Sequence, residues 1–239
     1  MKTLITLLIF YTNFGYCEEK YQVKDWNPQL IESANYGKLT YWDAYKGKLL
    51  NFKLETPGDS IEEAKELIKL QNTRTQLQEK ICIEENDMSL ELFFKRMNVE
   101  FPKTSIAFVK FVFERALRGQ DTVVNYQKLY YGRLRPWMID PQINRCLEPP
   151  KTASYPSGHS TGSRLWANIL GDIFPERKEE FIAKADQIGL NREIAGVHYH
   201  SDTLAGRKLG DMLYESMKIT EDYKIHLKTI KDNLQVFKK

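Results

Sequence analysis

Phe181, Ala185 and Ile188 recur at helical spacing, and the stripe they form continues through Arg192 to Ala195. Burying that face carries a guanidinium inside, and a buried cation is tolerated only beside a partner. The fold is therefore obliged to bring something anionic, from the chain or from a ligand, to Arg192.

The other periodicities are helical as well. Ser60-Ile61-Glu62-Glu63 reads as a capping box opening a helix with Ile61, Ala64, Ile68 and Gln71 on one face. Asp87 reads as the cap of a second helix whose apolar side is Leu90, Phe93, Phe94 and Met97. Ile106 to Leu117 is apolar almost all round and belongs in the centre. Gly119 follows it, and Asp121 reads as the start of a separate helix that stops at Arg135, ahead of Pro136. Trp137 to Pro156, with Pro141, Pro149, Pro150 and Pro156, reads as a loop. Leu165, Trp166, Ile169, Leu170 and Ile173 mark a helix closed by Pro175. Leu204 to Met217 and a terminal amphipathic helix with Tyr223, Leu227, Ile230, Leu234 and Phe237 complete the set. Neither a useful run of strand alternation nor a repeat is present. The expected fold class is all-α: a single-domain helical bundle over 57–239, with an irregular arm rich in Tyr and Trp at 18–56 lying over it.

Lys128 and Arg135 are seven residues apart, about two turns of helix, which would set both cations on one side. Such a pair is either a solvated basic face or part of an anion site. In Tyr155-Pro156-Ser157-Gly158-His159-Ser160, a helix starting after Pro156 would aim free N–H groups and its positive dipole end at an anion. Gly158 would admit close approach and the Ser157 hydroxyl would donate; a plain serine N-cap is the competing reading. His198 and Asp202, four apart, meet if the chain turns helically, so that Asp202 holds one imidazole nitrogen and leaves the other free to attack. The competing reading is a capping Asp beside an unrelated histidine. Three of the four histidines, His159, His198 and His200, fall in these two segments. His200 reads as a surface residue or one behind the site, and His226 as unrelated.

In order, Lys-x6-Arg-Pro (Lys128 to Pro136), Pro-Ser-Gly-His (Pro156 to His159) and Arg-x5-His-x3-Asp (Arg192 to Asp202) resemble the signature of the type 2 phosphatidic acid phosphatase and vanadium haloperoxidase superfamily. The chain looks most like its bacterial class A non-specific acid phosphatases. The motifs cover roughly a third of the chain. One departure is Asn191, where the family usually has Ser, which implies altered tuning of Arg192. The resemblance implies that Lys128, Arg135, Arg192, Ser157 and the Gly158 amide bind phosphate. It also implies that His198 attacks phosphorus with Asp202 orienting it, and that His159 protonates the leaving group. The reaction would be metal-independent hydrolysis of phosphomonoesters through a phosphohistidine, with phosphate, sulfate or vanadate as site ligands and no cofactor. Three other readings stay open: a soluble phosphatase of lipid phosphates or diphosphates, a vanadate-dependent haloperoxidase, and a non-catalytic phosphate binder. A binder has no use for both His159 and the His198-Asp202 couple.

Composition limits the setting. A mean hydropathy of −0.51 opposes a multi-span membrane protein, and a net charge of +3 gives no reason to expect nucleic acid as a specific partner. Residues 1–17 have the layout of a cleavable signal peptide, with Lys2, an apolar run from Leu4 to Phe10, and Gly15 and Cys17 before the cut. That implies a periplasmic or secreted protein. Cys82 and Cys146 would then either pair or remain separate thiols.

Overall fold

The computed structural model describes residues 20–45 and 52–236; the expected leader at 1–17, part of the arm at 46–51 and Phe237 lie outside them. Among the described residues all regular elements are helical, as expected. They are α1 (Pro28–Tyr36), α2 (Ser60–Thr73), α3 (Gln76–Glu84), α4 (Leu90–Met97), α5 (Ile106–Tyr131), α6 (Pro136–Ile139), α7 (Gly158–Ile173), α8 (Lys178–Ile194), α9 (His200–Met217) and α10 (Glu221–Val236), with 3-10 turns at Val23–Asp25, Thr40–Tyr45 and Pro175–Arg177.

Helix α7 is the centre, flanked by α8 and α9 and crossed by α5. Its Leu165, Trp166, Ile169 and Leu170 are fully buried, together with Val109, Val112 and Phe113 from α5. Trp166 shows how the core is fixed: its ring lies 5.0 Å from that of Phe93, and its Nε1 donates to Phe113 O at 3.0 Å, so the one polar atom is satisfied. Helix α9 approaches α7 unusually closely. A Cβ on Gly206 would lie 2.6 Å from Ser157 O and 2.8 Å from Ser160 Cβ, so only glycine admits this seam.

Several expectations change in detail. The cap of α2 is Asp59, whose Oδ1 accepts from Ile61 N and Glu62 N at 2.9 and 3.1 Å; Ser60 is already the first helical residue. The buried face accordingly runs through Ala64 and Leu67, and Ile61 is 63% exposed. Ser89, not Asp87, caps α4, and Leu90, Phe93, Phe94 and Met97 are its buried side as expected. Helix α5 runs unbroken through Gly119 and Asp121 to Tyr131, where Gly132 at φ 62 ends it. Lys128 and Arg135 therefore do not share a helix face. The arm expected to be irregular contains α1, packed on α5, and its Leu39 and Trp42 are fully buried. The loop from Trp137 to Pro156 contains the short α6. Cys82 and Cys146 are free thiols within hydrogen-bonding reach of each other, and Cys82 Sγ also donates to Asn191 O at 3.1 Å. No described helix is long and apolar enough to cross a membrane.

Candidate active site

The stripe on α8 does what its pattern requires. Phe181, Ala185 and Ile188 face the core, and Arg192 at the same phase is 2% exposed. Its Nη2 donates to Asn86 Oδ1 at 3.3 Å, while Nε and Nη1 are buried without a partner. Arg192 lines a cavity of about 460 Å³ together with Lys128, Arg135, Gly158, His159 and His198. A larger cleft of about 900 Å³ shares Asn86 and Glu148 with this cavity.

Each cation reaches the cavity from a different element. Lys128, in the last turn of α5, donates from Nζ to Ala153 O and Ser154 O at 2.6 and 3.0 Å. Arg135, the residue before α6, donates to Thr152 O (2.9 Å), Thr152 Oγ1 (2.9 Å) and Val197 O (2.7 Å). The turn at Gly132 delivers Arg135 to the place that a continuous helix could not. All three cations are buried, and burial lowers the pKa of each: Lys128 well below its ordinary value, with Arg135 adding to the effect, and Arg135 and Arg192 to about 10. The two guanidiniums remain charged at neutral and acid pH, and they share the cavity with the carboxyl groups of Asp121 and Glu148.

His198 and Asp202 meet as the four-residue spacing suggests. Nδ1 of His198 donates to Asp202 Oδ2 at 3.1 Å, which fixes the tautomer and leaves Nε2 as the acceptor facing Arg135 Nη1 at 3.0 Å. Burial lowers the His198 pKa well below its ordinary value, and the neighbouring Arg135 pushes in the same direction, so the imidazole is neutral, with its Nε2 lone pair turned to Arg135. Burial alone would raise the Asp202 pKa, but the hydrogen bond from His198 and the charge of Arg133 hold it well below the usual carboxylate range.

His159, in the first turn of α7, lines the cavity, and its Nε2 donates to Asn86 O at 3.2 Å. Burial and then Arg192 lower its pKa well below the ordinary value. Gly158 opens the helix at the cavity wall. Ser157 is placed differently: it is fully buried and caps α7, with Oγ accepting from Ser160 N at 3.4 Å and from Ser160 Oγ at 3.1 Å, and it is absent from the cavity lining. Asn191 also points elsewhere, donating from Nδ2 to the buried Glu85 at 2.7 Å. The His200 side chain is 60% exposed and pairs with Glu193, and His226 accepts from or donates to Tyr41 Oη at 2.7 Å, outside the cavity lining.

Four contributors escaped the sequence reading. Asn86 holds both Arg192 and His159 from the turn between α3 and α4. Thr152 seats Arg135, and Ser154 Oγ donates to Asp202 Oδ2 at 2.5 Å. Arg133 Nη1 donates to Asp202 Oδ1 at 2.6 Å. Only Arg133 left a trace in the sequence, as the extra cation inside the basic segment Lys128 to Pro136. Among the described residues no three His, Cys, Asp or Glu side chains cluster as a metal site.

Comparison with known proteins points the same way. The non-specific acid phosphatase of Salmonella typhi is 32% identical over 113 residues, which is 45% of this chain and 44% of that protein. The lipid A 1-phosphatase of Rhizobium etli is 40% identical over 57 residues, 24% of this chain and 25% of that one. The aligned region thus spans less than half the length of these curated relatives. A crystal structure described as the first bacterial vanadium-dependent iodoperoxidase superposes with a TM-score of 0.55 at 19% identity, over 72% of this chain and 53% of that one, a likeness of fold. The family model for the PAP2 superfamily matches residues 107–214, a span from α5 into α9 that holds every cation and histidine of the cavity.

Proposed function

We propose that the protein is an acid phosphatase that hydrolyses phosphomonoesters through a phosphohistidine on His198. The observation that carries this reading is the Arg192 guanidinium, buried with two of its three nitrogens unpaired and lining one cavity with Lys128, Arg135 and two neutral histidines. A tetrahedral dianion supplies the acceptors that Arg192 lacks, and the cations and the Gly158 amide stabilise charge on the transferring phosphoryl group.

In the forward step the His198 Nε2 lone pair bonds to phosphorus as the bond to the leaving oxygen breaks. His159 gives that oxygen a proton, and the alcohol departs. In the free cavity burial and Arg192 oppose protonation of His159. Bound phosphate neutralises Arg192 and raises the His159 pKa, so the acid forms when substrate is present. Water, deprotonated by His159, then attacks phosphorus, the N–P bond breaks and phosphate leaves. Positive side chains take the place that metal ions hold in other phosphoryl transferases, which supports a metal-independent reaction. The leader at 1–17 supports export to the periplasm or the medium.

The test is hydrolysis of an aryl phosphate with denaturing alkaline quenching of the phosphoenzyme, followed by acid treatment of the trapped species. The full chain should turn over and yield an acid-labile phosphohistidine, and His198→Ala should lose both. Turnover in His198→Ala near that of the unaltered protein refutes the mechanism.

A lipid phosphate is a second substrate class, favoured by the similarity to the lipid A 1-phosphatase. A panel of nucleotides, sugar phosphates, diphosphates and micellar lipid phosphates ranks the classes by kcat/KM.

A further inference from the structure

We infer that Arg133 is a positioning residue for the nucleophile, locking the Asp202 carboxylate to α2 through Glu63 and holding the Asp202-His198 couple in its working tautomer; this rests on the phosphatase reading. Arg133 follows Gly132 directly, and its side chain turns away from the cavity to the far side of Asp202. It is 5% exposed as a residue and does not line the cavity. All five of its N–H donors are used: Nε to Ser60 Oγ (3.2 Å), Nη1 to Asp202 Oδ1 (2.6 Å) and Ser201 Oγ (2.8 Å), and Nη2 to Gly58 O (2.8 Å) and Glu63 Oε2 (2.7 Å). The guanidinium also lies 3.9 Å from the centre of the Tyr199 ring. No donor is left for phosphate, which separates Arg133 from Lys128, Arg135 and Arg192.

The division of labour on Asp202 follows. Oδ2 receives His198 Nδ1, Ser154 Oγ and Tyr199 N, while Oδ1 is held by Arg133. A carboxylate bonded on both oxygens cannot rotate, so the His198 ring that hangs from it is fixed in plane and in tautomer. Glu63 anchors the other end: it accepts from Arg133 and from Ser201 N and Oγ, each at 2.7 Å, so the first turns of α2 and α9 close on one guanidinium. The charged groups around the couple are Arg133 and Glu63 behind Asp202, and Arg135 and Lys128 on the cavity side of His198. Among the described residues Arg133 is the only cation bonded to Asp202, so without it the couple binds a proton more readily and turnover fails at a higher pH.

The experiment measures kcat, KM and inhibition by inorganic phosphate across pH for the full chain, Arg133→Lys and Arg133→Met. Arg133→Met is expected to lower kcat about 10- to 100-fold, as loss of an outer partner of a working imidazole does elsewhere. The acid limb of the kcat profile should move up by about one pH unit. The phosphate inhibition constant should stay within about threefold, because the cage is intact, and Arg133→Lys should recover part of kcat. If Arg133→Met does not fold because Glu63 and Asp202 are left facing each other, the double variant Arg133→Met/Glu63→Gln removes the stranded charge and is read the same way. An unmoved acid limb with kcat per folded molecule unchanged overturns the positioning role, and a phosphate inhibition constant that weakens in step with kcat makes Arg133 a cage member instead. Aryl phosphate left intact by the unaltered protein would overturn the phosphatase reading and this inference together, whereas active protein with silent Arg133 variants overturns the inference alone.

Discussion

Replacing Arg192 by Met should stabilise the ligand-free protein while removing most of its response to phosphate. The guanidinium is 2% exposed, and two of its nitrogens, Nε and Nη1, are buried without acceptors. Each unmet donor costs about 1–3 kcal/mol, whereas the bond surrendered, Nη2 to Asn86 at 3.3 Å, contributes about 1 kcal/mol. Glu85, the buried carboxylate whose charge acts on Arg192, keeps Arg96 at 3.0 Å and so is not stranded. Methionine fills much of the same volume without charge, and exchanging buried ionic groups for packed apolar ones commonly gains about 1–4 kcal/mol. At about 2–4 °C per kcal/mol for a chain of this size, the expected rise in Tm is at least a few degrees. Inorganic phosphate at a hundred times its Kd should stabilise the unaltered protein by about 2.7 kcal/mol, and this shift should largely vanish in Arg192→Met. Thermal melts with and without phosphate, against chloride at equal ionic strength, read both effects. A variant that melts lower than the parent without phosphate, or one that keeps the full phosphate shift, refutes the reasoning.

Further outcomes follow from the same geometry. His198 and His159 have folded pKa values below the ordinary 6.5, so the unfolded chain takes up protons that the folded one does not. Stability should therefore fall as pH drops below about 6.5, with a slope from His198 approaching 1.4 kcal/mol per pH unit, roughly one proton. Urea midpoints between pH 7.5 and 5.5 in phosphate-free buffer check this, and His198→Gln should flatten the slope. Gly206→Ala drives a methyl group to 2.6 Å from Ser157 O and should destabilise by about 1–3 kcal/mol in urea titration, with kcat falling as the histidines are pushed apart. Asn191→Ala leaves Glu85 one donor short and should cost about 1–3 kcal/mol of stability, with kcat for an aryl phosphate nearly unchanged because Asn191 does not face the cavity.

The site was legible where local periodicity and chemistry coincide. Arg192 announced itself as a charge in an apolar row, and a spacing of four was enough to join His198 to Asp202. The pairing of Lys128 with Arg135 had the right destination and the wrong path: Gly132 breaks the helix, and the cations converge through a turn that a count of seven does not disclose. Gly119 does not end its helix, because glycine does so when its φ is positive and here it lies within α5. Ser60 lost the cap of α2 to the neighbouring Asp59, which moved the buried face onto Leu67. Asn86, Thr152 and Ser154 carry no pattern of their own, since each matters only through what the fold sets beside it. The role of Ser157 is the reverse case, a motif residue whose side chain caps its own helix.

The tight seam at Gly206 has a consequence for how the protein breathes. With backbone against backbone there is no side-chain layer to slide, so the start of α7 and the body of α9 travel as one rigid body. His159 stands in the first turn of α7 and His198 two residues before α9, so each is tied in sequence to one side of that seam. Substrate entry must then be a matter for the opposite wall, where Leu30 from the arm and Glu148, Pro149 and Pro150 from the long loop border the cavity. A rigid seam leaves the arm and the loop as the borders where opening of the cavity is expected.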